Sequence, residues 1–444
     1  MIPVERSAER MVASRRVVLG LLGLSLLALA VTGLPIYSRL SYLWGLLLVG
    51  SWTWSMLALR GIQVQREEPA QHAHVGQVFE ERFIVQNSSR LPRLWLEVHD
   101  QSTLPGARGS RVLTLLKGWQ RRSYLVRTHL VQRGVFSLGP TTLTSGDPFG
   151  LFTVSHTLPS DGSLLVYPML ANVRTFLSPP GLLSGGDALR RRTHQVTPNA
   201  AGVREYAPGD PLNRIHWVST ARRERLMVKE FELDPLAEVW IFVDAARSVQ
   251  STLFSSPSPF DSEEVEGEGD SVADVPWRPL PEIKLPPSTE EYAVSIAASL
   301  GRYFLRHGRA VGLVSCGHSM SYRPNVLPPD RGGRQLGKIL EAMALLRAEG
   351  ALSILALVAA QARHLPRGST VILITPSTQE DVALAVDHLL RLGLRPVVVL
   401  LDAASFDGPP GTKSLAATIA GRGVPVCQVS NGADLGTALS ITGG

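Results

Sequence analysis

Cysteine is nearly absent: Cys316 and Cys427 are the two thiols in 444 residues. They stand far apart, outside any Cys-x-x-Cys pair or Cys/His cluster, which excludes a disulfide framework and a thiolate zinc site. A reduced, cytoplasmic setting fits such a chain most simply. No Gly-x-x-x-x-Gly-Lys-Ser/Thr loop occurs, so the chain is not itself a P-loop ATPase. The nearest approach to a nucleophile elbow, Gly317-His318-Ser319-Met320-Ser321, lacks the final glycine, and the Pro-rich sequel cannot open a helix directly after a serine. Paired acids at the mouth of one site are not identifiable from the sequence. An extended basic stripe with interleaved aromatics, which nucleic-acid binding needs, is also missing outside one short segment, so no nucleic-acid partner is expected. These absences weigh against an enzyme without excluding one.

What is present begins with apolar runs. Val17–Val31 is uncharged and stays apolar to Ile36; after Arg39, Leu40–Leu59 is uncharged again. Each run is about 20 residues, enough for a helix to cross roughly 30 Å of hydrocarbon. The reading is a transmembrane helical hairpin over residues 1–62, with spans at about 17–36 and 40–59 and a tight link around Pro35–Arg39. Arg6, Arg10, Arg15 and Arg16 precede the first run, Arg60 and Arg66 follow the second, and Arg39 alone lies between them. The positive-inside rule then places both ends, and the soluble remainder, in the cytoplasm at the plasma membrane. The net charge of +6 suits proximity to an anionic bilayer. A secretory signal followed by an exported, adhesion-type protein is the rival reading, but no small-residue cleavage site stands before Pro35.

Residues 63–175 alternate in short runs broken by Gly, Pro, Asn and Ser, the pattern of an all-β, sandwich-like domain. Gly146-Asp147-Pro148-Phe149-Gly150 is a tight turn in which Asp147 serves as a backbone acceptor rather than a catalyst.

Residues 176–236 hold the densest chemistry, REYAPGDPLNRIHWVSTARR over Arg204–Arg223. Asp210 fits an N-cap with Pro211 at the first helical position. Leu212, Ile215, Val218 and Ala221 then predict the buried face of a short helix, with Trp217 anchoring it. His216 shows no clear partner in the sequence. Two readings of the arginines are compatible: a docking surface for an acidic partner, or ion pairs to Glu205 and Glu230 that seat the helix. Arg204, Tyr206, Gly209, Asp210, Arg214, Ile215, Trp217, Ala221 and Arg222 match, without departure, the pattern Arg-x-Tyr-x-x-Gly-Asp, Arg-x-Ile-x-Trp, Ala-Arg. The chain thereby resembles the prokaryotic family called domain of unknown function 58, as do its paired apolar runs, its DPFGLF turn and its α/β tail. The resemblance implies association with MoxR-type AAA+ ATPases and with other membrane or von Willebrand factor A proteins. In the docking reading, Arg204, Tyr206, Asp210, Arg214, Trp217 and Arg222 form or support the binding surface.

Residues 237–444 alternate strand and helix, which predicts an open, mostly parallel sheet covered on both faces. The domain resembles the von Willebrand factor A fold, a Rossmann-like α/β architecture whose first strand leads into Asp-x-Ser-x-Ser and a Mg²⁺ site. Here the string is Asp244-Ala245-Ala246-Arg247-Ser248. Ala246 removes one oxygen, Arg247 adds positive charge, and Pro376-Ser377 follow the later strand where the family has an aspartate. Arg331–Gly333 offers no threonine ligand. Asp244 and Ser248 are what remains of the metal set; no cofactor is expected, with Mg²⁺ the one candidate. An insertion at about 251–288, Ser/Pro-rich and then acidic, cannot bury enough apolar area to fold alone. The functional expectation is a membrane-anchored cytoplasmic scaffold or adaptor. An enzyme of cell-envelope metabolism using the cleft near Asp244 is the alternative.

Overall fold

The computed structural model describes residues 3–67, 71–107, 109–160, 162–176, 200–206, 215–231, 238–253, 285–317 and 324–440. They form two compact units. One holds the chain up to Leu170 with Leu340–Leu345; the other holds Ala171–Leu253, Pro287–Ile339 and the chain from Leu346.

The first unit opens with a helix pair, α1 (Pro3–Thr32) and α2 (Pro35–Ala58). The link expected around Pro35–Arg39 lies instead at Gly33-Leu34, and Arg39 is helical. Gly33 takes φ 67°, a conformation that suits a residue without Cβ, and Pro35 supplies the preset φ of a first helical turn. The helices meet through small polar residues. Ser25 Oγ and Ser41 Oγ are 3.0 Å apart, and Ser41, Ser51, Ser55 and Ala58 form the buried stripe of α2. Small side chains let two helix backbones approach closely. The outward faces are apolar and exposed, with Leu24, Leu27, Leu46 and Val49 among them. Among the described residues one helix, over Ser14–Thr32, is long and apolar enough to cross a membrane. In α2 the serines, Thr53, Gly45 and Gly50 dilute the apolar content.

The rest of this unit is β-structure in three sheets. β1 (Ile62–Glu67), β3 (Val78–Asn87) and β6 (Arg121–His129) form the first, antiparallel throughout. β4 (Arg93–Asp100) and β5 (Arg111–Leu116) join β8 (Thr141–Gly146) and β9 (Thr153–Leu158) in a second, in the order β5-β4-β8-β9. β2 (His72–His74), β7 (Gly134–Ser137) and β10 (Ser163–Tyr167) make the third. The period-two alternation of these strands turns Phe83, Val85, Leu96, Val98, Leu113 and Tyr124 into one core between the first two sheets. A buried ion network joins Arg66 on β1 to Glu81 on β3 and Asp100 on β4.

In the second unit the chain first forms a hairpin of β11 (Ala200–Glu205) with β12 (Met227–Phe231), carrying the short helix α3 (Trp217–Arg223) in its connection. A six-stranded sheet follows: β13 (Val239–Val243), β14 (Val311–Ser315), β15 (Asn325–Asp330), β16 (Thr370–Thr375), β17 (Arg395–Leu401) and β18 (Val426–Val429). Its order is β15-β14-β13-β16-β17-β18, parallel except for β15. β13, β14 and β16 are buried along their whole length, as continuous Val/Ile/Leu runs require when both sheet faces are covered. The helices are α4 (Thr289–Arg306), α5 (Gly333–Leu345, whose last turns, Leu340–Leu345, are grouped with the first unit), α6 (Ile354–Gln361), α7 (Asp381–Arg391), α8 (Thr412–Ala420) and α9 (Leu435–Ala438). β15 contains Pro328 and Pro329, which cannot donate to a ladder and so belong on an edge strand. Buried Gln335 supports that edge, donating from Nε2 to Val311 O (2.7 Å) and to Pro328 O (2.8 Å). Of the insertion at 251–288 only its neck is described. There Thr252 and Ser288 form an isolated antiparallel bridge.

Candidate functional site

The signature folds differently from its sequence expectation. Asp210 and Arg214 lie outside the described residues, as do Gly209 and the proposed helix start at Pro211. The described helix begins at Trp217, after His216. Ile215 is not on a helical face; it is buried in an antiparallel bridge to Val228 of β12. Arg204 of β11 stands opposite the same Val228, so β12 is flanked by the two arms of the signature. Tyr206 N donates to Leu226 O and His216 N to Met227 O, both at 2.8 Å, which fixes the two arms in register. His216 does have a partner: its Nδ1 lies 2.7 Å from Ser219 Oγ, closing the first turn of α3. Met227 N donates to Thr220 Oγ1 at 3.0 Å, tying the helix down.

This arrangement turns the expected anchor outward. Trp217 is 66% exposed and Val218 59% exposed, because the residues that hold α3 are Ile215, Thr220 and the β12 backbone. Leu226 is exposed as well. Arg225 pairs with Glu205 at 2.9 Å in an exposed ion pair, the kind that contributes about 0–1 kcal/mol. Arg222 and Arg223, in the last turn of α3, are exposed and have no ion pair among the described residues. An aromatic ring, two aliphatic side chains and two exposed guanidinium groups therefore share one short connection. Trp and Arg are the residue types enriched where proteins bind proteins.

The second place of interest is the carboxyl edge of the six-stranded sheet. Connections from β13 and from β16 leave there in opposite directions, which makes it the switch point where open α/β sheets bind ligands. Asp244 follows β13 and is buried. Its Oδ2 accepts from Thr375 Oγ1 at 2.6 Å and its Oδ1 from Ala246 N at 3.1 Å. Thr375 Oγ1 in turn accepts from Ser377 N at 3.0 Å. Burial pushes the Asp244 carboxyl up to about 6, with the charge of Asp381 adding to the rise and the bonds from Thr375 and Ala246 opposing it. Ser248 is exposed in a 3₁₀ turn at Arg247–Val249 and shares no hydrogen bond with Asp244.

A third segment covers this edge. Ala246 and Gly350 form a parallel bridge; Gly350 N donates to Ala245 O and Arg247 N to Gly350 O, both at 2.9 Å. A Cβ on Gly350 would fall on Cys316 O, so only glycine fits. The segment beside Asp244 is thus the stretch after α5, not Arg331–Gly333. Asp330 pairs with Val311 at the start of β14, which puts Arg331–Gly333 at the opposite end of the sheet. Thr375 and Gly350 are the residues that sequence reading missed. Both act across long sequence separations, and neither carries a local motif.

A helix pair, a unit of several β-sheets and a mixed sheet preceded by the signature hairpin define a multidomain protein. Residues 202–265 match the family described as "Protein of unknown function DUF58". The chain is also similar to the Uncharacterized protein YeaD of Bacillus subtilis (strain 168), at 23% identity over 360 residues that cover 78% of this chain and 77% of that protein. The family match over the signature hairpin and the similarity to this relative both support a DUF58-family protein. Among solved structures, a CARDB domain of the PF1109 protein from Pyrococcus furiosus, in complex with di-metal ions, overlaps 24% of this chain and 91% of its own length at 13% identity and a TM-score of 0.18. A beta-glucosidase from Listeria innocua in complex with gluconolactone overlaps 24% of this chain and 16% of its own, at 6% identity and a TM-score of 0.16. Overlaps at such scores establish no common fold.

Proposed function

We propose that this protein is a membrane-anchored adaptor whose signature hairpin docks a protein partner on the cytoplasmic side. The observation that carries the proposal is the outward display of Trp217 and Val218 beside the exposed Arg222 and Arg223. Exposed apolar side chains grouped together and rimmed by polar groups, as Trp217, Val218 and Leu226 are here, are what marks a protein contact site. The guanidinium groups favour an acidic surface on the partner. A MoxR-type AAA+ ATPase is the first candidate, on the association that the family resemblance implies. Arg204, Tyr206, Asp210 and Arg214 are read as parts or supports of this surface.

The remaining architecture is read to match. The apolar outer faces of α1 and α2, and the serine contacts between them, support a two-span hairpin. The arginines at its two ends favour cytoplasmic soluble units. The β-rich unit is read as a sandwich-like spacer. The strand order with one antiparallel edge supports a von Willebrand factor A-like domain. Within it, Asp244 is read as a structural strap, its two oxygens accepting from Thr375 and Ala246. The test is affinity capture of the full chain from native membranes. Recovery of a MoxR-type ATPase, lost in Trp217→Ala/Arg222→Ala, supports the proposal. Recovery unchanged by that pair of substitutions, or no such ATPase at all, contradicts it.

A further inference from the structure

The end of the first unit where α2 leaves off carries exposed apolar side chains that neither the hairpin nor the β core explains. α2 ends at Ala58. Two bonds then pin the β3–β4 loop beside that exit: Ser88 N donates to Gly61 O at 2.7 Å, and Arg93 donates to Arg60 O at 2.6 Å. The β5–β6 turn is held to the same loop, with Trp119 N donating to Ser89 O at 3.1 Å. The β8–β9 turn reaches this end too. Ser145 Oγ donates to Trp95 O near the start of β4, and the Arg15 guanidinium of α1 lies 6.0 Å from the Phe152 ring centroid.

Each of these three loops points an apolar side chain outward: Leu91 on the first, Leu115 and Trp119 at the second, Phe149 on the third. Trp119 is 66% exposed and Phe149 63%. The backbone is shaped to present them. Leu115 and Trp119 sit at φ 48° and 58°, left-handed positions that bulky residues rarely occupy and that persist where the surroundings enforce them. Phe149 is held in a turn whose Asp147 carboxylate accepts from Phe149, Leu151 and Phe152 N–H groups.

Among the described residues, the charges at this end have one sign toward solvent. Arg60, Arg90, Lys117 and Arg121 border the loops, while the acid among them, Asp147, is buried and occupied by its three donors. Apolar and Trp side chains ringed by Lys and Arg, two residues beyond a helix exit, are the chemistry of the bilayer interface. We infer that these three loops insert into the headgroup layer of an anionic membrane, seating the β-rich unit on the bilayer at the foot of the hairpin. The inference rests on the reading of α1 and α2 as membrane spans. A protein partner is the less fitting occupant, since the loops adjoin the point where the chain leaves the hydrocarbon.

The full-length chain, reconstituted in liposomes of phosphatidylcholine and phosphatidylglycerol with nitroxide-labelled lipid, tests this. An environment-sensitive fluorophore is placed through Leu46→Cys, Trp119→Cys, Phe149→Cys or Thr157→Cys; the native thiols are buried. Leu46 reports the hairpin, and Thr157 is the control, toward the far end of β9. The expected result is strong lipid quenching at 46, and quenching at 119 and 149 several-fold above that at 157. Lys117→Glu and Arg121→Glu should each weaken the contact at 119 by about fivefold. Quenching at 46 with 119 and 149 no higher than 157 overturns the inference and leaves the hairpin standing. Absence of quenching at 46 overturns the hairpin reading and this inference with it. Shielding of 119 from aqueous iodide without lipid quenching indicates a protein contact instead and also contradicts it.

Discussion

Asp244→Asn is the sharpest perturbation of the sheet edge. In the folded protein burial raises the Asp244 carboxyl from 3.8 to about 6. A raised acid means that the folded state holds the proton more tightly than the unfolded chain. Its stabilising contribution is therefore complete below the unfolded value and is lost as pH rises through the folded one. A rise of about two units corresponds to about 3 kcal/mol at 1.36 kcal/mol per unit. The wild type should lose that amount of local stability between pH 4 and pH 7. Asn cannot ionise and keeps the shape, so the variant should lack this dependence. Hydrogen exchange of β13 and β16 amides in the full chain, compared between wild type and variant at each pH, cancels the intrinsic pH effect on exchange. The protection difference should shift in the variant's favour by about 3 kcal/mol across that interval. A flat difference would refute the reasoning. So would a saturable rise in wild-type protection with Mg²⁺, since a cation at Asp244 would favour the ionised form.

Three smaller predictions follow from geometry. Gly350→Ala should cost about 1–3 kcal/mol by overpacking against Cys316 O, and should speed proteolysis of the segment after α5. Asp147→Ala strands three N–H groups at the β8–β9 turn, so thermal unfolding should show about 1–3 kcal/mol of lost stability. Burial pushes the Cys427 thiol up to about 11 and raises Cys316 as well, so iodoacetamide at pH 8 should label neither until denaturant is added.

Much of the second unit was legible in the chain, and the reasons are physical. The runs at 239–243, 371–375 and 396–401 are long and apolar enough to demand a strand covered on both faces, and the structure places strands there. β15 was not legible, because Pro328 and Pro329 mask a strand that survives only by being an edge. α6 is apolar nearly all round and gives no amphipathic period. The signature misled in one respect. Leu212, Ile215, Val218 and Ala221 recur at helical spacing, yet Ile215 is claimed by Val228 across the hairpin, which leaves Val218 and Trp217 outside. The strap from Thr375 to Asp244 joins residues 131 positions apart, beyond the reach of any local pattern. What local chemistry did specify, such as the Asp147 turn, the structure reproduces.

The central claim is that the exposed face of α3 is a docking surface. Binding of the full chain, in nanodiscs, to a purified MoxR-type AAA+ ATPase tests it most directly, comparing wild type with Trp217→Ala/Arg222→Ala. Both side chains are exposed, so the pair should leave stability within about 0.5 kcal/mol of wild type per substitution. Loss of a central aromatic anchor should nonetheless weaken binding by about 2 kcal/mol or more, roughly 30-fold in Kd. Equal affinity of wild type and variant, or no binding by either, would contradict the account.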